Sequence, residues 1–286
     1  LGRILFFDTI LSNEKTVSCA TCHKEKFAFA DTSAISIGVL NRKGKRNAPS
    51  AMNGSTQGSF FWDGRAASLE EQALIPIANP DEMNLPVEVA VKRLNESKKY
   101  KAYFLKIFKE VPNRKNLGIA IAAFEKTLET YNTPFDDWQI NDNDSGISAS
   151  AKRGFELFNG KANCSSCHFG GNFNNGGRDY RNIGLYNGTT LNDSGRAAIT
   201  KNAGDLGRFK IPDLRNVAIT APYMHNGMFK TLHEVIDFYN DPAKAVPDAI
   251  NRDPTLSKPL NLSKQDETDI ENFLLTLTDK RFLNKK

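Results

Sequence analysis

No stretch of the 286 residues approaches the roughly 18 consecutive apolar residues that a membrane span requires. The longest apolar patches, such as Ile119 to Phe124, sit inside amphipathic patterns, so a membrane-spanning helix is excluded. The chain also lacks basic residues interleaved with aromatics on one platform or helix, which argues against nucleic-acid binding. Its formal charge of +5 is spread out, apart from Arg42, Lys43, Lys45 and Arg46 and the final Lys285 and Lys286. These read as solvated loop and tail charges, with docking of an acidic partner as the alternative. There is no initial Met, basic n-region or apolar h-region at Leu1, which suits a processed or truncated product. With 40% hydrophobic and 25% charged residues, neither disorder nor a fibrous repeat is expected, and the length suits two domains of ordinary size.

Cysteine is scarce and fully used. The four cysteines form two copies of one pattern, Cys19-Ala-Thr-Cys22-His23 and Cys164-Ser-Ser-Cys167-His168, with none left over. In CxxCH the two thiols form thioether links to haem vinyl groups, and the adjacent histidine becomes the proximal iron ligand. A structural zinc site would need the two CxxC pairs brought together from far apart in sequence, and two disulfides would not explain the histidines. Covalent haem attachment is normally carried out outside the cytoplasm, so the motif pair also predicts a periplasmic or cell-surface protein.

Each motif sits in a similar frame. Leu1, Ile4 and Leu5 precede the first on one helical face, as Ala151, Phe155 and Phe158 precede the second. An amphipathic segment from Leu117 to Tyr131 follows the first, with Ile121, Phe124, Leu128 and Tyr131 in register. After the second, Ile270, Phe273, Leu274 and Leu277 form a stripe behind a capping pair, Ser263 and Asp266. This is the order of a small cytochrome c domain, twice: a mainly α chain with little β structure. The boundary is expected near Asn141 to Ser148, giving domains 1–145 and 146–286. Prolines 76, 80, 86 and 112 should break the first half into short helices. Asn159 to Gly195 reads as long loops, with a hairpin around Ile183 to Thr190 as the one β expectation.

Only four histidines are present, and none lies between His23 and His168. The first haem therefore has at most one histidine ligand unless a distant one reaches across, and its distal face is open or weakly filled. His233, beside Glu234 on a predicted helix, reads as a surface residue. His225 lies among turn formers in Thr220-Ala-Pro-Tyr-Met-His225-Asn-Gly, where a role near a haem and a packing role are both open.

Taken in order, LGRILFFD, SCATCH, ISIG, RNAPS, FWDGRA, EEQA, PIANPDEM, NCSSCH, IPDLRNVAITAPYMHNG and LHEVIDFYN resemble the bacterial di-haem cytochrome c peroxidase / MauG family over nearly the whole chain. The resemblance implies a peroxidatic haem on Cys19 and Cys22 with His23 proximal, and an electron-transfer haem on Cys164 and Cys167 with His168 proximal. It places Gln72, Pro76 and Glu82 in the distal pocket, with Glu82 as the acid/base carboxylate. It makes Trp62 a relay between haems, and gives a calcium site of Asn47 with the carbonyls of Thr220 and Pro222. Without the family match, Glu82 would read as a surface carboxylate and Trp62 as a core aromatic.

Two positions depart from the peroxidases. Many members have a histidine after the ISIG-like stretch that ligates the resting iron; this chain has Val39, which predicts no such ligand and no need for reductive activation. The distal ligand of the second haem, methionine in the peroxidases, falls at Tyr239, with Met224 and Met228 as rivals. Tyrosinate stabilises ferric iron and lowers the potential, whereas methionine raises it. The leading expectation is a peroxidase reducing hydrogen peroxide with electrons from a small cytochrome c or copper protein. The second is a MauG-like enzyme that oxidises residues of a partner protein through high-valent iron, and the third a non-catalytic electron carrier. A homodimer is the assembly the resemblance suggests.

Overall fold

The computed structural model describes residues 1–283, so the tail charges at Lys285 and Lys286 lie outside the described residues. The described chain is mainly helical. Its first compact unit, residues 1–55 and 66–129, holds α1 (Gly2–Phe7), α2 (Cys19–Cys22), α3 (Leu69–Gln72), α4 (Ile75–Ala78), α5 (Val87–Glu96), α6 (Lys98–Phe108) and α7 (Arg114–Glu125). The second, residues 56–65 and 130–286, holds α8 (Pro134–Gln139), α9 (Ala149–Asn159), α10 (Ala197–Thr200), α11 (Leu232–Asn240), α12 (Pro242–Ala245), α13 (Lys264–Leu275) and α14 (Lys280–Leu283). No helix among the described residues is long and apolar enough to cross a membrane.

The two units are built on the same frame, residue for residue. In the first, α1 crosses α7 so closely that a Cβ on Gly2 would lie 1.8 Å from the Ala120 carbonyl oxygen. In the second, α9 crosses α13, and a Cβ on Gly154 would lie 1.9 Å from the Asp269 carbonyl oxygen. One turn on from each crossing the same aromatics follow. Phe6 packs edge-on to Phe124 at 5.2 Å and to Phe29 at 6.0 Å, and Phe158 packs edge-on to Phe273 at 5.1 Å and to Phe173 at 5.9 Å. Such pairs contribute about 0.5–1.5 kcal/mol each beyond their area. The closing helices end alike: Thr127 Oγ1 donates to the Phe124 carbonyl and Thr276 Oγ1 to the Phe273 carbonyl. A buried asparagine in the left-handed conformation then donates its backbone N–H to the next leucine carbonyl, Asn53 to Leu128 and Asn216 to Leu277.

The capping box on α13 forms as expected: Ser263 Oγ accepts from the Asp266 N–H, and Asp266 accepts from the Ser263 N–H. Two expectations change. The Leu117 to Tyr131 helix stops at Glu125 because the chain turns there to bring Leu128 to Asn53, which leaves Tyr131 exposed. No hairpin forms at Ile183 to Thr190, where the Asn187 side chain instead accepts from the Thr189 and Leu191 N–H groups and closes a loop. The strands are two residues long, β1 (Tyr180–Arg181) and β2 (Phe209–Lys210), antiparallel with Tyr180 opposite Lys210.

Residues 56–65 are bound into the second unit. Gly58 N–H donates to the Gly176 carbonyl, Ser59 Oγ to the Gly177 carbonyl, Tyr180 Oη to Ser59 Oγ and Arg196 Nη1 to the Asp63 carbonyl. Lys210 holds the segment twice, its N–H on the Trp62 carbonyl at 2.7 Å and its Nζ on Gln57 Oε1 at 2.9 Å.

Candidate functional site

At each CxxCH motif one turn of helix does the positioning. Cys19–Cys22 is a single α turn, started by a capping box in which the Ser18 N–H donates to Thr21 Oγ1. Cys164–Ser166 is a tighter turn entered through Asn163 in the left-handed conformation. The spacing of three residues puts both sulfurs of a motif on one side of its turn. In both motifs the histidine N–H closes onto the first cysteine's carbonyl at 2.9 Å.

Both imidazoles are oriented by a backbone carbonyl. His23 Nδ1 lies 2.9 Å from the Phe29 carbonyl oxygen and His168 Nδ1 lies 2.8 Å from that of Phe173. A carbonyl can only accept, so each Nδ1 carries the proton and each Nε2 keeps its lone pair, as a metal ligand requires. Phe29 and Phe173 both take positive φ to present those carbonyls. The Pro49 and Pro212 carbonyls support the same rings. Burial holds both imidazoles below their usual range, hence neutral and ready to coordinate.

The four cysteines are unpaired, and burial pushes the Cys19 and Cys164 thiols upward, Cys164 to about 12. A thioredoxin-like pair needs a lowered thiol, so that reading fails. Zinc fares no better: no cluster of three or more His, Cys, Asp or Glu capable of holding a metal occurs among the described residues. Two thiols on one side of a turn, followed by an imidazole with bare Nε2, fit a covalent haem in each unit.

In the first unit, Gln72 ends α3, Pro76 lies in the first turn of α4, and Glu82 follows in the loop after α4. Asn79 orients the carboxylate by donating Nδ2–H to Glu82 Oε1 at 2.6 Å, a partner sequence reasoning missed. Its signal was the short polar spacing in ANPDE. Val39 is fully buried, and its N–H donates to the Glu82 carbonyl at 2.8 Å. Gly38 is needed there because a Cβ would lie 2.3 Å from the Asp81 carbonyl oxygen. Glu82 lies within electrostatic reach of Cys19 and Cys22.

In the second unit, Tyr239 packs on α11 beside Leu185, Phe238 and Met224. Burial pushes its phenol up, and the fields of Cys164 and Cys167 act in the same direction, so its hydroxyl end lies toward the second motif. Met228 is largely exposed, whereas Met224 stays in the Tyr239 cluster. His225 is buried and stacks on Phe209 at 3.7 Å with Trp62 edge-on at 6.5 Å. It packs the tryptophan segment. His233 is exposed, 3.6 Å from Glu271. Asn47, buried, donates to the Ser33 carbonyl in the first unit, while Thr220 and Pro222 belong to the second.

Comparison with known proteins agrees with this geometry. The family model described as di-haem cytochrome c peroxidase matches residues 1–144, and the cytochrome c model matches residues 151–278. The methylamine utilization protein MauG of Methylorubrum extorquens is 38% identical over 97% of this chain and 77% of its own length. The cytochrome c551 peroxidase of Nitrosomonas europaea is 37% identical over 83% of this chain and 71% of its own. The crystal structure of a MauG-like protein associated with microbial copper homeostasis superposes with a TM-score of 0.87 at 31% identity, covering 99% of this chain and 90% of that one. The chain therefore belongs to the di-haem cytochrome c peroxidase family of oxidoreductases, and its two cytochrome c-type domains imply two haem c groups.

Proposed function

We propose that this chain reduces hydrogen peroxide to water with electrons from a small cytochrome c or copper protein, and that its two haems divide the work. Residues 1–145 carry the peroxidatic haem on Cys19, Cys22 and His23, and residues 146–286 carry the electron-transfer haem on Cys164, Cys167 and His168. The observation that carries the reading is the Asn79-oriented carboxylate of Glu82 beside a buried Val39, which is not a residue that can ligate iron.

When bound, the haem would supply a redox-active iron. Oriented by Asn79, the Glu82 carboxylate would take the first proton from peroxide and return it to the departing oxygen, so that water rather than hydroxide leaves. Gln72 and Pro76 would line the distal pocket of the bound haem. Trp62, held by Lys210 and packed by His225, would relay electrons, and Tyr239 would help hold the second haem. Two electrons and two protons per peroxide give two waters.

The same reading includes Ca²⁺ on the Asn47 side chain and the Thr220 and Pro222 carbonyls, export to the periplasm, and assembly as a homodimer. Electron paramagnetic resonance of the fully oxidised protein tests the core of it: a high-spin haem should be present without prior reduction, and a wholly low-spin spectrum would overturn the role given to Val39.

Tyr239 also favours a second reading, oxidation of residues on a bound partner protein, because a tyrosinate-ligated haem is a poor acceptor from ordinary donors and a good store of oxidising equivalents. Steady-state peroxide turnover with a reduced cytochrome supports the first reading. A long-lived oxidised state after peroxide with poor donor turnover supports the second, and no reaction with peroxide leaves an electron carrier.

A further inference from the structure

The shared frame of the two units gives each residue near one haem motif a counterpart near the other, and at one buried position the pair differs in kind. Phe124 corresponds to Phe273 and Leu128 to Leu277. The residue after the phenylalanine is Glu125 in the first unit and Leu274 in the second, 6% and 7% exposed. One frame thus buries an acid where the other buries a hydrocarbon.

Glu125 Oε2 is enclosed and has no hydrogen-bond partner. A buried carboxyl left in that state costs stability, and the counterpart position in the second unit is filled by a hydrocarbon instead. Its field reaches Cys19, the first attachment cysteine.

We propose that Glu125 stores a proton for the haem on Cys19 and Cys22: it takes up one proton when that haem gains an electron and releases it when the electron leaves. The inference rests on the assignment of a haem to that motif. Electrostatics supplies the sign. An ionised carboxylate in a poorly screened interior favours the more positive, oxidised haem, and reduction removes that favour.

Burial is the main influence on Glu125, with Glu70 second, and together they push it up to about 8. Around it, Cys19 faces it from α2, and Glu70 of α3 pairs with Lys126 at 2.6 Å. On α1, Arg3 lies over the Phe7 ring; on α5, Glu88 pairs with Arg114, Lys92 lies 3.9 Å from Glu96, and Arg93 donates to the Ile10 and Ser12 carbonyls. Glu82 also acts on Cys19, so it is the substitutions at Glu125 that separate the two carboxylates. Peroxide reduction consumes protons, so a carboxyl that loads with the electron keeps the first haem's charge constant through the cycle.

The test is a potentiometric titration of both haems from pH 6 to 10 in the intact protein and in E125Q and E125L. The potential of the first haem should fall as pH rises through about 8 in the parent, and the fall should vanish in both variants while the second haem is unmoved. The same pH dependence in parent and variants would overturn the proposal. Leucine at the matching position of the second unit predicts that E125L folds. Should it not, redox difference infrared spectra of the parent decide: a carboxylic-acid carbonyl band that appears on reduction supports the proposal, and its absence refutes it. Haem content separates the two readings, since fewer than two covalent haems defeats the haem assignment itself, whereas two haems with a pH-independent first potential defeat only the role of Glu125.

Discussion

In the proposed function Glu82 and Tyr239 have opposite tasks at the two haems, one to move protons and one to hold an iron. Replacing Glu82→Gln keeps an oxygen for Asn79 to bond but removes the proton carrier. The rate of reaction with peroxide should fall by about 10²–10⁴ with haem content and spin state unchanged, read by stopped-flow absorbance. Tyr239→Phe should abolish low-spin ligation at the second haem, read by electron paramagnetic resonance; an unchanged spectrum would reassign the ligand, with Met224 first in line because it shares the Tyr239 cluster. The CxxCH residues were legible in the sequence because their chemistry depends on spacing, and Val39 stood out only through the family resemblance. Asn79, the Phe29 and Phe173 carbonyls and Glu125 were not. A hydrogen-bond partner or a buried acid shows only when the chain has folded around it.

At the scale of elements, the helix crossing in each unit is the feature most sensitive to change. Gly154→Ala would drive a methyl into the Asp269 carbonyl, and separating α9 from α13 should cost about 1–3 kcal/mol, measured by chemical denaturation of the holoprotein. The same pair of helices is clasped by charge. Asp269 accepts from Arg153 at 2.7 and 2.9 Å and from Ser150 at 2.5 Å, which holds its carboxyl at about 2, with the Arg153 guanidinium as the main cause. A carboxyl depressed in the folded state stabilises above its unfolded value of 3.8, and that contribution is lost as pH falls toward about 2. Asp269→Asn should therefore lower the melting temperature at pH 6 and have little effect near pH 2. Helical periodicity foretold α9 and α13, and the Ser263–Asp266 pair foretold the cap of α13. The end of α7 escaped it, because Leu128 continues the apolar stripe while its carbonyl is taken by Asn53.

For the whole molecule, the calcium reading has a direct outcome. Chelation should remove about one Ca²⁺ per chain and reduce peroxide turnover, with both recovered on adding Ca²⁺ back; a chain that never contained calcium by elemental analysis would reject the site. The duplication has a further consequence. A frame used twice lets one unit serve as the internal control for the other, as Leu274 does for Glu125.

What the sequence by itself determined was the covalent chemistry and the helical plan: two CxxCH motifs, apolar stripes and caps, all set by spacing along one chain. Only the tertiary structure decided that residues 56–65, with Trp62, join the second unit, that Glu82 is oriented by Asn79, and that Glu125 Oε2 is buried without a hydrogen-bond partner. Burial and hydrogen-bond pairing are properties of contacts distant in sequence. Periodicity is local, and it carries no record of them.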